Sequence, residues 1–311
     1  MTQAQKAALF RTLHKPGAPL VLFNAWDPGS AKCVAEAGAA AIATGSWSVA
    51  AAFGFDDGEQ IPLPLALENL SRIAQAVSLP VTLDFERGYG ADAAEVGRSI
   101  AAAIAAGAIG FNIEDGLDDG LRASEAQAER LAAARSAANA AQVPAFINAR
   151  TDVFLAAPAP HTEAQVEEAL RRADLYAKAG ADGLFVPGLQ DLRLIEALCA
   201  RSPLPVNIMK SPDGPSLAQL SACGVARVSH GPGPYRLAMR ALMEAAKEAL
   251  QQSLPDQVAP GSPFGKPKSP RPAASLGGFP VQRLNARENA EGSEKPNRYA
   301  VSFTLTLRLA R

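Results

Sequence analysis

Along most of the chain, short apolar runs alternate with longer segments rich in Ala, Leu, Glu and Arg. The short runs carry β-branched residues and Phe and read as buried strands, and the longer segments read as helices. Eight strand-like runs are legible: 20–26 (LVLFNAW), 40–45 (AAIATG), 80–86 (PVTLDFE), 108–115 (AIGFNIED), 144–151 (PAFINART), 183–188 (GLFVPG), 205–210 (PVNIMK) and 225–230 (VARVSH). A helical stretch follows each one, at 29–37, 64–77, 91–106, 124–141, 163–179, 190–200, 215–222 and 235–251. Several helices stop at small residues with Gly, which suits a left-handed cap. Eight such units without a hairpin signal predict an α/β fold, a (β/α)8 TIM barrel. An open doubly wound sheet is the competing fold, but no G-x-G-x-x-G follows the first strand. A short amphipathic helix precedes the barrel and ends by Pro16-Gly17.

In a (β/α)8 barrel the chemistry sits at the C-terminal ends of the strands. Polar residues gather there: Asn24, Asp84, Glu86, Asn112, Glu114, Asn148, Arg150, Asn207, Ser229 and His230. Asp84 and Glu86 are two apart on a strand, so both point to one side. With Glu114 on the next strand they form three converging acids, which repel unless a cation or shared protons offset them. Hard oxygen donors without nearby His or Cys suit Mg²⁺ or Mn²⁺. The competing reading is a set of acids ion-paired to Arg87 and Arg150. Arg150 itself either clamps an anionic substrate or serves a structural ion pair.

Two connections are long. Residues 45–62 begin with Gly45, Ser46 and Trp47, whose backbone N–H groups could face an oxyanion, and include Asp57, an acid able to reach a metal through water. A solvated turn is the plainer reading of the D-D-G-E stretch. Residues 116–124 follow Glu114 and have the polarity of a lid. For a general acid or base, Tyr89, Lys210 and His230 stay open.

Composition narrows the class. Thirty basic and thirty-one acidic residues leave a net charge of −1, so global electrostatics favours neither nucleic acid nor an anionic membrane. Three scattered cysteines, Cys33, Cys199 and Cys223, make no metal-finger spacing and point to a reducing, cytoplasmic setting. The apolar runs are broken by charge or Gly before membrane-spanning length, so a soluble protein is expected. The catalytic domain is read as residues 1–251. Residues 252–311 form a Pro-rich basic tail, with nine Lys/Arg against four Asp/Glu, read as disordered apart from one alternating strand-like stretch, 299–309.

The segments LVLFNAWDPGSA, GFDDGEQ, PVTLDFERGYG, GFNIED and INARTDVFL, in this order and spacing, resemble the isocitrate lyase/phosphoenolpyruvate mutase superfamily, and most of all its small mutase-type members. The resemblance covers roughly residues 18–250. It implies a (β/α)8 barrel whose last helix swaps between subunits of a homodimer or homotetramer. It also implies Mg²⁺, with Asp84 as direct ligand and Asp57, Glu86 and Glu114 holding metal-bound waters. Gly45, Ser46 and Trp47 would bind the substrate's anionic end, and Arg150 would bind the substrate and act in catalysis. The implied activity is chemistry on a small 2-oxo or 2-hydroxy carboxylate through an enolate: C–C lysis or decarboxylation, with phosphoenolpyruvate/phosphonopyruvate-type mutase or hydrolase chemistry as the alternative. A carboxylate-binding barrel without turnover is the reading from outside enzymology.

Three departures matter. The family's D-x-D reads Asp84-Phe85-Glu86, the Ser of its binding stretch is Gly45, and residues 116–124 carry neither the lyases' Lys-Lys-Cys-Gly-His loop nor the mutases' lid Asn.

Overall fold

The computed structural model describes residues 1–252. The reading of a disordered tail with one strand-like stretch lies outside these residues.

Eight parallel strands form the sheet. They are β1 (Leu20–Leu22), β2 (Ile42–Ala43), β3 (Val81–Asp84), β4 (Gly110–Glu114), β7 (Phe146–Arg150), β8 (Gly183–Phe185), β9 (Val206–Met209) and β10 (Arg227–Ser229). The order is β1-β10-β9-β8-β7-β4-β3-β2. The ring closes just beyond β1 and β2, where the Ala25 N–H donates to the Ala43 carbonyl at 2.8 Å and the Gly45 N–H to that of Ala25 at 3.3 Å. The fold is the expected (β/α)8 TIM barrel. Parallel strands covered on both faces demand apolar residues throughout, and β4 and β7 each bury four of five residues.

Each strand is followed by helix: α2 (Pro28–Glu36), α3 (Ser46–Phe53) with α4 (Leu63–Ala76), α5 (Ala93–Ala105), α6 (Ser124–Ala140), α7 (Val153–Ala156) with α8 (Glu163–Lys178), α9 (Leu192–Arg201), α10 (Leu217–Ala222) and α11 (Gly233–Gln252). Caps fix several starts. Asp27 accepts from the Ser30 N–H at the head of α2, Thr162 caps α8 and Ser216 caps α10, all in capping boxes.

Two expectations change. The connection read as 45–62 is helical over its first half, because Gly45 stands at the N-cap of α3 and Gly54, at φ 79°, ends it. The lid segment carries a small antiparallel hairpin, β5 (Gly116–Leu117) and β6 (Gly120–Leu121), which polar sequence alone does not betray.

The first helix, α1 (Gln3–Thr12), ends at Leu13, short of Pro16-Gly17, and closes the N-terminal end of the barrel. Phe10 is fully buried there and meets Phe146 edge-on at 5.7 Å. His14 stacks on Phe146 with ring centroids 3.9 Å apart, and its Nδ1 lies 2.9 Å from the Phe10 carbonyl.

At the other end of the chain, α11 leaves Leu237, Leu242, Met243 and Leu250 exposed, and Val21 and Phe23 are also uncovered. No helix among the described residues is long and apolar enough to cross a membrane.

The His14 site predicts a pH effect. Burial, helped by the charge of Arg227, lowers its pKa from 6.5 to about 3. A depressed His pKa gives stability that is present above about pH 6.5 and is lost as pH falls toward about 3. His14→Phe, which keeps the stack and cannot titrate, is expected to lose less stability than the wild type between pH 7.5 and 5 in urea unfolding.

Candidate active site

The strand ends enclose a cavity of about 150 Å³, lined by Gly45, Ser46, Trp47, Asp57, Asp84, Asn112 and Arg150 among others. Six of the eight proposed site residues therefore meet in one space. Glu86 and Glu114 are outside its lining, each next to a lining residue: Glu86 shares an adjoining pocket with Asp84, and Glu114 pairs with Arg150. Larger clefts exist, one of about 720 Å³ beside Gln190, Arg193 and Gln219, but they lie away from this meeting of acids with Arg150.

Asp84 ends β3 and is held by three donors. Its Oδ2 accepts from the Ser46 N–H at 3.0 Å and the Ser46 hydroxyl at 2.9 Å, and its Oδ1 accepts from Asn112 Nδ2 at 3.2 Å. Ser46 is the first residue of α3, so the free N–H groups of a helix start face the acid.

Glu86 departs from the strand argument. β3 stops at Asp84, and Glu86 takes φ 49°, so the two-residue alternation does not extend to it. Its carboxylate instead accepts from the Tyr89 hydroxyl at 3.0 Å and from the Glu59 N–H. Burial, reinforced by Asp57 and Asp84, raises its pKa to about 7 despite the Glu59 N–H. Burial and the charge of Asp84 also raise Asp57.

Glu114 ends β4 and pairs with Arg150 Nη1 at 2.6 Å. Burial, with Asp152, Asp84 and Glu86 nearby, pushes it up to about 8 despite that cation. Arg150 also grips Asp152 through Nε at 2.6 Å and Nη2 at 2.9 Å. Burial disfavours its charge, but Glu114 and Asp152 outweigh burial and hold it protonated. The ion-pair alternative from sequence thus holds for Arg150 and Glu114, whereas Arg87 turns to Asp118 on the lid hairpin.

A second layer supports Arg150. Fully buried Asp115 accepts from Arg172 Nη1 at 2.8 Å, from the Tyr176 hydroxyl at 2.7 Å, and from the Asp152 N–H at 2.9 Å. Sequence reasoning places Asp115 and Asp152 at strand ends without a role, and it misses their partners because Arg172 and Tyr176 sit on α8, distant in the chain.

The far wall of the cavity is apolar: Leu155, Phe185, Pro187, Met209 and Pro232. Nothing in the sequence marked it, since its residues are scattered over the ends of β8 and β9 and the connections after β7, β8 and β10. Of the acid/base candidates, Tyr89 is engaged with Glu86. Lys210 and His230 line a separate cavity with Arg236 and Arg240.

The donor set around Asp84 is all oxygen, which fits a hard divalent cation. Among the described residues, no three His, Cys, Asp or Glu side chains are placed to chelate one ion together. Asp57 and Asp84 are the acids in the cavity lining, and both offer oxygen donors of the kind such a cation takes.

The phosphoenolpyruvate phosphomutase family profile matches residues 10–250, so the chain belongs to that family. A provisionally named phosphonomutase from Burkholderia cenocepacia J2315 is 54% identical, with a TM-score of 0.78, and the match covers 80% of this chain and all of that one. An uncharacterized protein of Mycobacterium tuberculosis (strain ATCC 25618 / H37Rv) is 34% identical over 79% of this chain and 92% of its own length. An oxaloacetate decarboxylase of Bradyrhizobium sp. (strain BTAi1 / ATCC BAA-1182) is 30% identical over 69% and 74%. These relatives support an enzyme of lyase or mutase type acting on small carboxylates.

Removing one member of a buried ion pair strands the other and costs about 3–5 kcal/mol. Arg172→Leu would leave Asp115 unpaired, and a loss of this size is expected in urea unfolding. A loss below about 1 kcal/mol, within the ordinary range for exposed pairs, would contradict the triad's role.

Proposed function

We propose that the chain is a divalent-cation-dependent carbon–carbon lyase of the cytosol. Its substrate is a small 2-oxo or 2-hydroxy carboxylate, and decarboxylation is the favoured reaction. The observation that carries this reading is one cavity that brings Asp57, Asp84 and Arg150 together with Leu155, Phe185, Pro187 and Met209.

Mg²⁺, or Mn²⁺ in its place, would be held by Asp84 directly and by Asp57, Glu86 and Glu114 through water. When bound, the cation supplies Lewis-acid polarisation of the C2 oxygen and C1 carboxylate. The Trp47 N–H at the start of α3 would orient the anionic end of the substrate, since the Ser46 N–H is already given to Asp84. Arg150 stabilises charge that develops at the C2 oxygen as the enolate forms. A leaving carboxylate set against Leu155, Pro187 and Met209 would lie among apolar side chains of the lining, a setting that favours its departure as CO₂. The named decarboxylase relative supports the reading, and the three free cysteines suit a reducing compartment.

Phosphonate chemistry is the second reading, favoured by the 54% identical Burkholderia protein. Against it, Arg150 is the one Lys or Arg in the lining and already carries two carboxylates. A phosphonate dianion asks for more positive charge.

The deciding experiment follows products by NMR with oxaloacetate, 2-methylisocitrate, dimethylmalate, phosphoenolpyruvate and phosphonopyruvate, with Mg²⁺ and with EDTA. Oxaloacetate is expected to yield pyruvate only with the cation. Asp84→Ala is expected to lower kcat at least about a hundredfold, roughly 2.7 kcal/mol of barrier. Turnover of phosphonopyruvate with oxaloacetate inert would install the second reading. Binding of carboxylates without any product would make the barrel a binding protein.

Cation affinity should also rise with pH. Glu86 near 7 and Glu114 near 8 hold protons that a cation must displace. Mn²⁺ titration calorimetry in buffers of different ionisation enthalpy should show proton release and tighter binding from pH 6 to 8. A flat profile would contradict this.

We further propose a homo-oligomer in which α11 packs its exposed Leu237, Leu242, Met243 and Leu250 against a second copy. Leu242→Asp with Met243→Asp is expected to give monomers in light scattering.

A further inference from the structure

Asp84, Asn112 and Asn148 occupy neighbouring register positions on β3, β4 and β7. Their side chains form one chain of hydrogen bonds. Asn148 Nδ2 donates to Asn112 Oδ1 at 2.9 Å, and Asn112 Nδ2 donates to Asp84 Oδ1 at 3.2 Å. Arg227, one of the largest fully buried side chains, reaches Asn112 Oδ1 from β10 through Nη2 at 3.4 Å. Its guanidinium also lies 5.9 Å from the centre of the Phe10 ring, and its Nε and Nη1 have no partner.

The direction of this chain is forced. An amide can face either way, but an arginine only donates and a carboxylate only accepts. Asn112 stands between the two, so its oxygen must face Arg227 and its NH₂ must face Asp84. Burying a cation without a carboxylate contact is costly, and the amide is the single polar group that Arg227 reaches.

We propose that Asn112 is the positioning residue for the Asp84 carboxylate, and that Arg227 acts through Asn112 to keep its amide aimed at that acid. The inference rests on the cation reading above. It concerns how the Asp84 ligand is oriented rather than which reaction follows. Partners of this kind change metal affinity by about 10–100-fold when removed.

The test is Mn²⁺ affinity of the free protein, read by electron paramagnetic resonance, for wild type, Asn112→Leu, Arg227→Met and the double variant. Thr82→Val serves as control: its hydroxyl is buried one layer below Asp84 without a partner, and it touches neither Asp84 nor Asn112 by a hydrogen bond. Asn112→Leu is expected to weaken Mn²⁺ binding about tenfold or more, and Thr82→Val to leave it unchanged. Arg227→Met is expected to weaken binding several-fold, and the double variant to match Asn112→Leu alone, because the two act in series.

The Arg227 arm separates orientation from charge. Removal of a nearby cation acting through charge alone would tighten Mn²⁺ binding, and that result overturns the proposal. So does wild-type affinity in Asn112→Leu. If that single variant does not fold with Arg227 stranded, the double variant, which removes the unpaired cation, carries the same comparison. A wild-type protein that binds no Mn²⁺ overturns the cation reading and this inference together, whereas wild-type binding with unaffected variants overturns this inference alone.

Discussion

Carboxylates held within one another's fields cost free energy unless cations or protons offset them, and the mouth of this barrel is arranged around that cost. Asp84 acts on Asp57, Glu86 and Glu114 there, Asp57 acts on Glu86, and Glu86 and Asp152 act on Glu114. Four of these acids have partners that offset the cost. Asp84 takes three neutral donors, Glu86 takes a phenol and a backbone N–H, and Glu114 and Asp152 share Arg150. Burial, with the neighbouring acids adding to it, is why Glu86 and Glu114 hold their protons near neutral pH. Such a site is primed for a positive guest.

The barrel supplies the rigidity that this crowding needs. Parallel strands fix the register of Asp84, Asn112 and Asn148 side by side. Behind the mouth, Asp115, Arg172 and Tyr176 tie the end of β4 to α8, and Asp115 also holds the backbone of Asp152. An electrostatic liability at the surface is thus anchored by a satisfied buried network. Much of the cost of the functional site is carried by residues that never face the cavity.

The sequence showed the barrel well because its signal is periodic. Eight apolar runs and eight Ala-rich helices lie within a few residues of the observed elements. Local irregularities were hidden. The lid hairpin is two residues per strand, too short for any alternation to register, and α3 hides in a segment whose Gly and Ser look like loop. The cavity lining was legible where a strand end carried charge, as at Asp84 and Arg150. It was illegible at Phe185, Pro187 and Met209, because single apolar residues at strand ends look like ordinary core. Arg227 escaped notice for the opposite reason: a lone Arg inside a strand gives no hint that it turns inward. The left-handed turn at Glu86 was equally invisible, since a non-glycine residue at positive φ leaves no mark in composition.

Gly116 opens the lid hairpin directly against Asp152. A Cβ at this position would stand 2.4 Å from Asp152 Oδ2, the oxygen that accepts from Arg150 Nη2. The base of the lid and the grip on the arginine therefore share one patch of space. Any swing of the hairpin that carried bulk toward Asp152 would loosen Arg150, and any turn of Asp152 away from Arg150 would press on the hairpin's root. The glycine works as a mechanical clearance, so the position of the hairpin and the Arg150–Asp152 contact form a single coupled coordinate.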